Sequence, residues 1–160
     1  MSVATPSRSR PVSSFIAIKG TMIAETYAVL AQWDAAASKT ANFGRLRANN
    51  FIGAKSEAWL RDVIKAMSSR LRPDDRDRAL VVLARGGCPL DVWTPIYLWH
   101  ITRDGFLLRD FLTNFLYPAF RVGTLWLRAE DIHHHVATIR ARGGEPTRTW
   151  TKSTQERVAT

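Results

Sequence analysis

Apolar residues recur at helical intervals along most of the chain, while strictly alternating segments are scarce. The pattern predicts a mainly α fold of about six helices with at most one short hairpin. A first helix is expected over residues 21–36, with Ile23, Tyr27, Leu30 and Ala31 on one face, Thr21 as cap and Gly20 allowing a sharp entry. A second ends near Asn49 and Asn50, which leave the helical region readily. Phe51, Ile52, Gly53 and Ala54 make the connection, and Ser56 suits the N-cap of the next helix. There Trp59, Leu60, Val63, Ile64, Met67 and Leu71 form an apolar stripe, which leaves Arg61, Lys65 and Arg72 for solvent or an anion. The two helices together read as a helix-turn-helix-like unit.

Pro73, Asp74 and Asp75 close that helix and open another, whose short apolar face is Ala79, Leu80, Val82 and Leu83, ending at Gly86 and Gly87. A further helical group follows over residues 90–103, 105–117 and 128–142. The first of these is apolar around most of its circumference, through Trp93, Ile96, Tyr97, Trp99 and Ile101, and should be central. Phe106, Leu107, Phe111, Leu112, Phe115 and Leu116 pattern likewise, with Pro118 expected to end that helix near Tyr117. Residues 122–127 are the one strand-like run, read either as a hairpin arm or as an apolar loop. Of six tryptophans, Trp33, Trp59, Trp93 and Trp99 lie on apolar helical faces and read as core rather than base-stacking residues. Trp126 and Trp150 are not placed by the pattern.

Charge changes this picture. The chain is +9, and residues 39–72 hold eight basic residues against Glu57 and Asp62. Residues 1–72 carry eleven basic and four acidic side chains, residues 73–160 twelve and ten. This asymmetry assigns a polyanionic partner to the N-terminal part, nucleic acid before an acidic membrane surface. Three segments are expected: a flexible basic arm over 1–14, a basic helical domain over 15–72 and a C-terminal helical domain over 73–160. The single cysteine, Cys88, lies in a turn sequence, excludes an internal disulfide and suits a reducing cytoplasm. No stretch reads as a membrane span or a secretory leader.

Signatures of catalysis are missing: no phosphate loop, dinucleotide fingerprint, zinc-protease motif or nucleophile elbow occurs. No enzyme and no cofactor are therefore expected. His133, His134 and His135 invite a metal, yet neighbours on a helix diverge by about 100° each and cannot share one ion. A titratable helix surface is the preferred reading of the three histidines.

A family resemblance accompanies these features. In order along the chain stand Ile18-Lys19-Gly20, Glu25-Thr26, Asn49-Asn50, Lys55-Ser56, Arg70-Leu71, Asp110-Phe111-Leu112, Glu130-Asp131 and Trp150-Thr151-Lys152-Ser153-Thr154. The ordered set resembles the BrxA family of BREX bacteriophage-exclusion systems. The resemblance implies a DNA-associated protein acting beside a methyltransferase and other BREX components. The family pattern continues into a further helix past the Trp-x-x-Ser-Thr stretch, whereas this chain stops at Thr160. The C-terminal domain is accordingly expected to be incomplete. Phe120, Trp126 and Leu127 would then form an open patch that favours a homodimer or a protein partner.

The expected function is duplex-DNA binding through backbone phosphates with weak sequence choice. Arg45, Arg47, Lys55, Ser56, Arg61, Lys65 and Arg70 are the candidate contacts. The rival is an adaptor or NusB-like RNA-binding module, in which the same basic residues meet structured RNA or an acidic protein.

Overall fold

A computed structural model describes residues 10–12, 20–124, 126–142 and 144–146. Contacts divide the chain into two compact units, one of residues 21–104 and one joining 1–20 to 105–160. The fold is mainly α. In the first unit the helices are α1 (Ile23–Ala31), α2 (Lys39–Asn49), α3 (Glu57–Arg70), α4 (Arg78–Arg85) and α5 (Leu90–Thr102). The boundary expected at Pro73 falls inside this unit, where Pro73 is itself buried in the turn between α3 and α4.

Helices α1, α4 and α5 pack around Trp93, which is 0% exposed. Its ring stacks on Tyr97 with centroids 4.9 Å apart and meets Tyr27 edge-on at 5.2 Å. Both polar tips are satisfied, as burial requires. Trp93 Nε1 donates to Leu80 O at 3.2 Å, and the Tyr97 hydroxyl donates to Thr21 O at 2.7 Å. Helix α5 is thus central on one side only. Val92 and Trp99 lie on its exposed side, contrary to the core placement expected of Trp99, whose ring instead lies 4.8 Å from the Arg103 guanidinium.

Three local expectations change. Helix α1 begins after Met22 in a left-handed conformation, so Thr21 is no side-chain cap; its carbonyl accepts from Tyr97 and Arg70 instead. The helix also ends at Ala31, because Trp33 turns into the core against Phe43 and donates to Asp74 at 3.0 Å. Its buried residues are Thr26, Val29 and Leu30. On α4 the buried face is Leu80, Val81 and Ala84, one register away from the expected one, which leaves Val82 in solvent.

The second unit holds α6 (Phe106–Phe111), a π-helical turn (Leu112–Leu116), α7 (Tyr117–Arg121), α8 (Ala129–Ala137) and a 3-10 turn (Ile139–Arg142). The chain stays helical past Pro118. In a regular α-helix the proline ring would meet the carbonyl four residues back, but here the preceding turn is widened, with Tyr117 N donating to Leu112 O. Among the described residues of 122–127 there is no strand; they form an exposed loop. The pairing present instead is β1 (Arg10–Val12) parallel to β2 (Gly144–Pro146), so part of the expected flexible arm is paired. Phe120 and Trp126 are exposed, Trp126 to 87%, and Leu127 is half-buried. Trp150 and the other residues of 147–160 lie outside the described residues.

Candidate nucleic-acid interface

The basic pair α2 and α3 is built by its caps. Ser38 Oγ accepts from Ala41 N at 3.2 Å and starts α2. Buried Asn42 then ties the preceding loop down, donating to Asp34 O and accepting from Asp34 N at 2.8 Å. At the other end Asn50 takes a left-handed conformation, φ 41°, and its side chain closes the turn by bonding Ala54 N and Ala54 O, each at 2.9 Å. Gly53, with φ 65°, sits in the same turn. Ser56 Oγ accepts from Trp59 N at 3.1 Å and starts α3, the role its position predicts.

The far ends of the two helices are joined as well. Lys39 Nζ donates to Ser68 O at 3.1 Å and Leu71 O at 3.0 Å, satisfying carbonyls at the C-terminal end of α3. Partial burial pushes the Lys39 ammonium below its ordinary range, opposed by the charge of Asp74. Because α2 begins where α3 ends, the pair is an antiparallel helical hairpin. An open angle near 90–120°, as in a helix-turn-helix, would hold those ends farther apart than one lysine spans.

The predicted contacts separate accordingly. Arg61 and Lys65, one turn apart, share the solvent face of α3 opposite Leu60, Val63, Ile64 and Met67. Glu57 stands 3.8 Å from Arg61 on that face. Lys55 and Ser56 are exposed just before the N-terminus of α3. Arg45 and Arg47, two residues apart and so about 200° apart around α2, point to opposite flanks. Arg45 pairs with Asp34 at 3.7 Å, while Arg47 is exposed. Arg70 is turned inward, its Nη1 donating to Thr21 O at 3.2 Å. The fold therefore groups Lys55, Arg61 and Lys65 on α3 and its approach, and gives Arg70 and Lys39 structural work.

Two buried charge clusters escaped the sequence reading. Asp77, 0% exposed, receives His100 Nδ1 and Arg103 Nη2 on Oδ1, both at 2.6 Å, and Arg72 N on Oδ2 at 2.8 Å. In the second unit Asp110 meets His135 Nε2 at 2.9 Å and accepts from Asn114 Nδ2 at 2.9 Å. His135 is thus buried on a carboxylate rather than part of a titratable surface, unlike its exposed neighbour His134. Each residue sits in register with an apolar stripe: Asp77 before Leu80, Val81 and Ala84, His100 after Trp93 and Tyr97, Asp110 after Phe106 and Leu107. That register was the available signal. Among the described residues no three His, Cys, Asp or Glu side chains converge as a metal site, and no helix is long and apolar enough to cross a membrane.

A sequence profile of the BrxA family matches residues 13–160. The chain belongs to the BrxA family. Membership suggests a component of a BREX phage-defence system. Searches of the curated proteins and of the solved structures return no match. The BrxA profile spans both compact units, so the α2–α3 hairpin and the Asp110–His135 cluster belong to one family sequence.

Proposed function

We propose that this BrxA-family chain is a non-enzymatic component of a BREX system that grips duplex DNA through its phosphates. The observation carrying the proposal is the α3 face, where Lys55 stands exposed just before the positive N-terminal end of a 14-residue helix and Arg61 and Lys65 stand exposed about one and two turns further along it. Arg47 extends the basic surface from α2, and Arg45 adds a cation from the other flank, partly held by Asp34. These groups neutralise backbone charge and read no base edges, so affinity should depend on salt far more than on sequence.

The test is a salt series of binding isotherms with duplex DNA, single-stranded DNA and RNA of matched sequence. Duplex DNA is expected to bind best, with log affinity falling by about 0.9 per phosphate contact for each decade of salt. Tighter binding of RNA would favour the RNA-binding alternative and sink the duplex reading. The exposed Phe120 and Trp126 support a subsidiary proposal, self-association or docking on another BREX component. Light scattering that shows a strict monomer at high concentration, with no BREX component binding that stretch, would remove it.

A further inference from the structure

Helix α4 carries an exposed row that its own fold leaves unused. Arg78, Val82 and Arg85 lie at positions i, i+4 and i+7 along one side of the helix, Val82 being 62% exposed. Together with Val81, Trp33 and Asp74 they line a cleft of about 450 Å³ within residues 21–104. The volume accommodates a few side chains. Arg78 occupies the first position of α4, where the positive end of the helix disfavours a cation. Among the described residues neither Arg78 nor Arg85 has an ion pair, although nearby Arg76 is paired with Asp104 at 2.7 Å. Two uncompensated guanidiniums, about 10 Å apart along the helix, thus bracket an exposed aliphatic side chain.

We infer that this cleft docks an acidic segment of a partner protein. One apolar side chain of the segment covers Val82, and a carboxylate on either side of it meets Arg78 and Arg85. A phosphate backbone would serve the two cations but would set charged oxygens against Val82, which makes nucleic acid the poorer occupant. The indole of Trp33 is buried and cannot offer its face to a base. Asp74 accepts from Trp33 and borders the cleft, so it repels a carboxylate placed beside it and favours the α4 side for the ligand's acids. The spacing suits carboxylates at i and i+7 of a helix, or at i and i+4 of an extended strand with the apolar residue at i+2 on the same face. This inference stands apart from the α3 phosphate face.

Fluorescence anisotropy on the full chain tests it with two labelled peptides, each bearing a leucine between two glutamates, one at the helical and one at the extended spacing. One of them should bind, and Arg78→Glu with Arg85→Glu should weaken it by about tenfold or more. Val82→Ser, or serine in place of the peptide's leucine, should weaken it severalfold, whereas Arg61→Ala with Lys65→Ala should leave it nearly unchanged. All these positions are exposed, and far-ultraviolet circular dichroism checks that each variant is folded. The inference is overturned if neither peptide binds, if the charge reversal has no effect, or if the α3 pair weakens the peptide as much as the α4 pair does. It is also overturned if Val82→Ser leaves the peptide untouched while the α4 charge reversal abolishes duplex binding, which would make the cleft a phosphate contact. Loss of the duplex reading with peptide binding intact would leave it standing.

Discussion

Within residues 21–104, arginines and carboxylates occur in two settings. On α3, Arg61 lies in solvent 3.8 Å from Glu57, a spacing that contributes little through water. Around Asp77, by contrast, Arg103 and His100 close to 2.6 Å on one buried oxygen, and the backbone of Arg72 takes the other. The first arrangement leaves a cation available to an incoming anion. The second compensates a carboxylate that burial would otherwise penalise by several kcal/mol, on the order given for a desolvated ion. Identical residue types therefore divide into exposed and structural groups according to which face of which helix they occupy.

The strongest way to break this division is to remove the buried carboxylate. Asp77→Ala leaves Arg103 and His100 facing each other beneath α5 and deprives Arg72 N of its acceptor. A loss of about 3–5 kcal/mol in unfolding free energy is expected, the usual cost of breaking a buried pair by one partner. Urea denaturation measures it, and a loss under about 1 kcal/mol would mean that the cluster contributes no more than a surface pair. Duplex affinity per folded molecule should not change.

The reciprocal experiment strips the exposed face. Arg47→Ala, Arg61→Ala and Lys65→Ala together should flatten the salt dependence of duplex binding by up to about 2.7, at roughly 0.9 for each lost contact. Stability should move by no more than about 0.5 kcal/mol for each exposed change. Arg45→Ala should flatten the slope less than Arg47→Ala, since Asp34 already neutralises part of its charge. A slope unchanged in the triple variant would place the phosphate contacts elsewhere on the molecule.

How much of this was legible beforehand follows from what each residue depends on. Ser56 and Asn50 act on atoms within four residues of themselves, so their roles as cap and turn residue could be read locally. The α3 stripe was equally plain, because five of its six positions are buried at strict helical spacing. Helix α1 is shorter than its pattern predicts because its end depends on Asp74, 41 residues away from Trp33. The register of α4 is decided by the positions of α1 and α5, which its own eight residues do not encode. Asp77 and His100 look like surface residues until their places on apolar stripes are weighed against their polarity. Lys39, counted among the eight basic residues of 39–72, caps the far end of α3, a contact that exists only once the hairpin closes.

A smaller effect, opposite in sign, separates stability from binding on the hairpin itself. Gly44 lies in the middle of α2 on its exposed side, has no positive φ, and a Cβ there would meet nothing within 4 Å. Gly44→Ala should therefore stabilise the chain by about 0.5–1 kcal/mol, through helix propensity and the reduced freedom of the unfolded chain. The thermal midpoint measures the gain. If duplex affinity falls while stability rises, the bare backbone at Gly44 is a point of close approach for DNA; unchanged affinity restricts contact to the side chains of Arg47, Arg61 and Lys65.

The smallest expected effect lies between the two settings, at the pair of Arg76 and Asp104. The Nη2 to Oδ2 distance is 2.7 Å, but Asp104 is largely exposed, although Arg76 is mostly covered. The hydrogen bond from Arg76 holds the Asp104 carboxyl below its ordinary value, and the same bond raises the Arg76 guanidinium. Because the folded-state carboxyl is the stronger acid, its contribution is fully present above the unfolded value near 3.8. It is lost as pH falls through the lowered folded value, and nothing changes at neutral pH or above. Solvent screening keeps the contribution small. Stability measured between pH 7 and pH 2 should thus fall less steeply at its acid end in Asp104→Asn than in the parent chain, with the two curves parallel above about pH 5. Curves parallel throughout would show that the pair, though short, behaves like the solvated charges of α3 and not like those around Asp77.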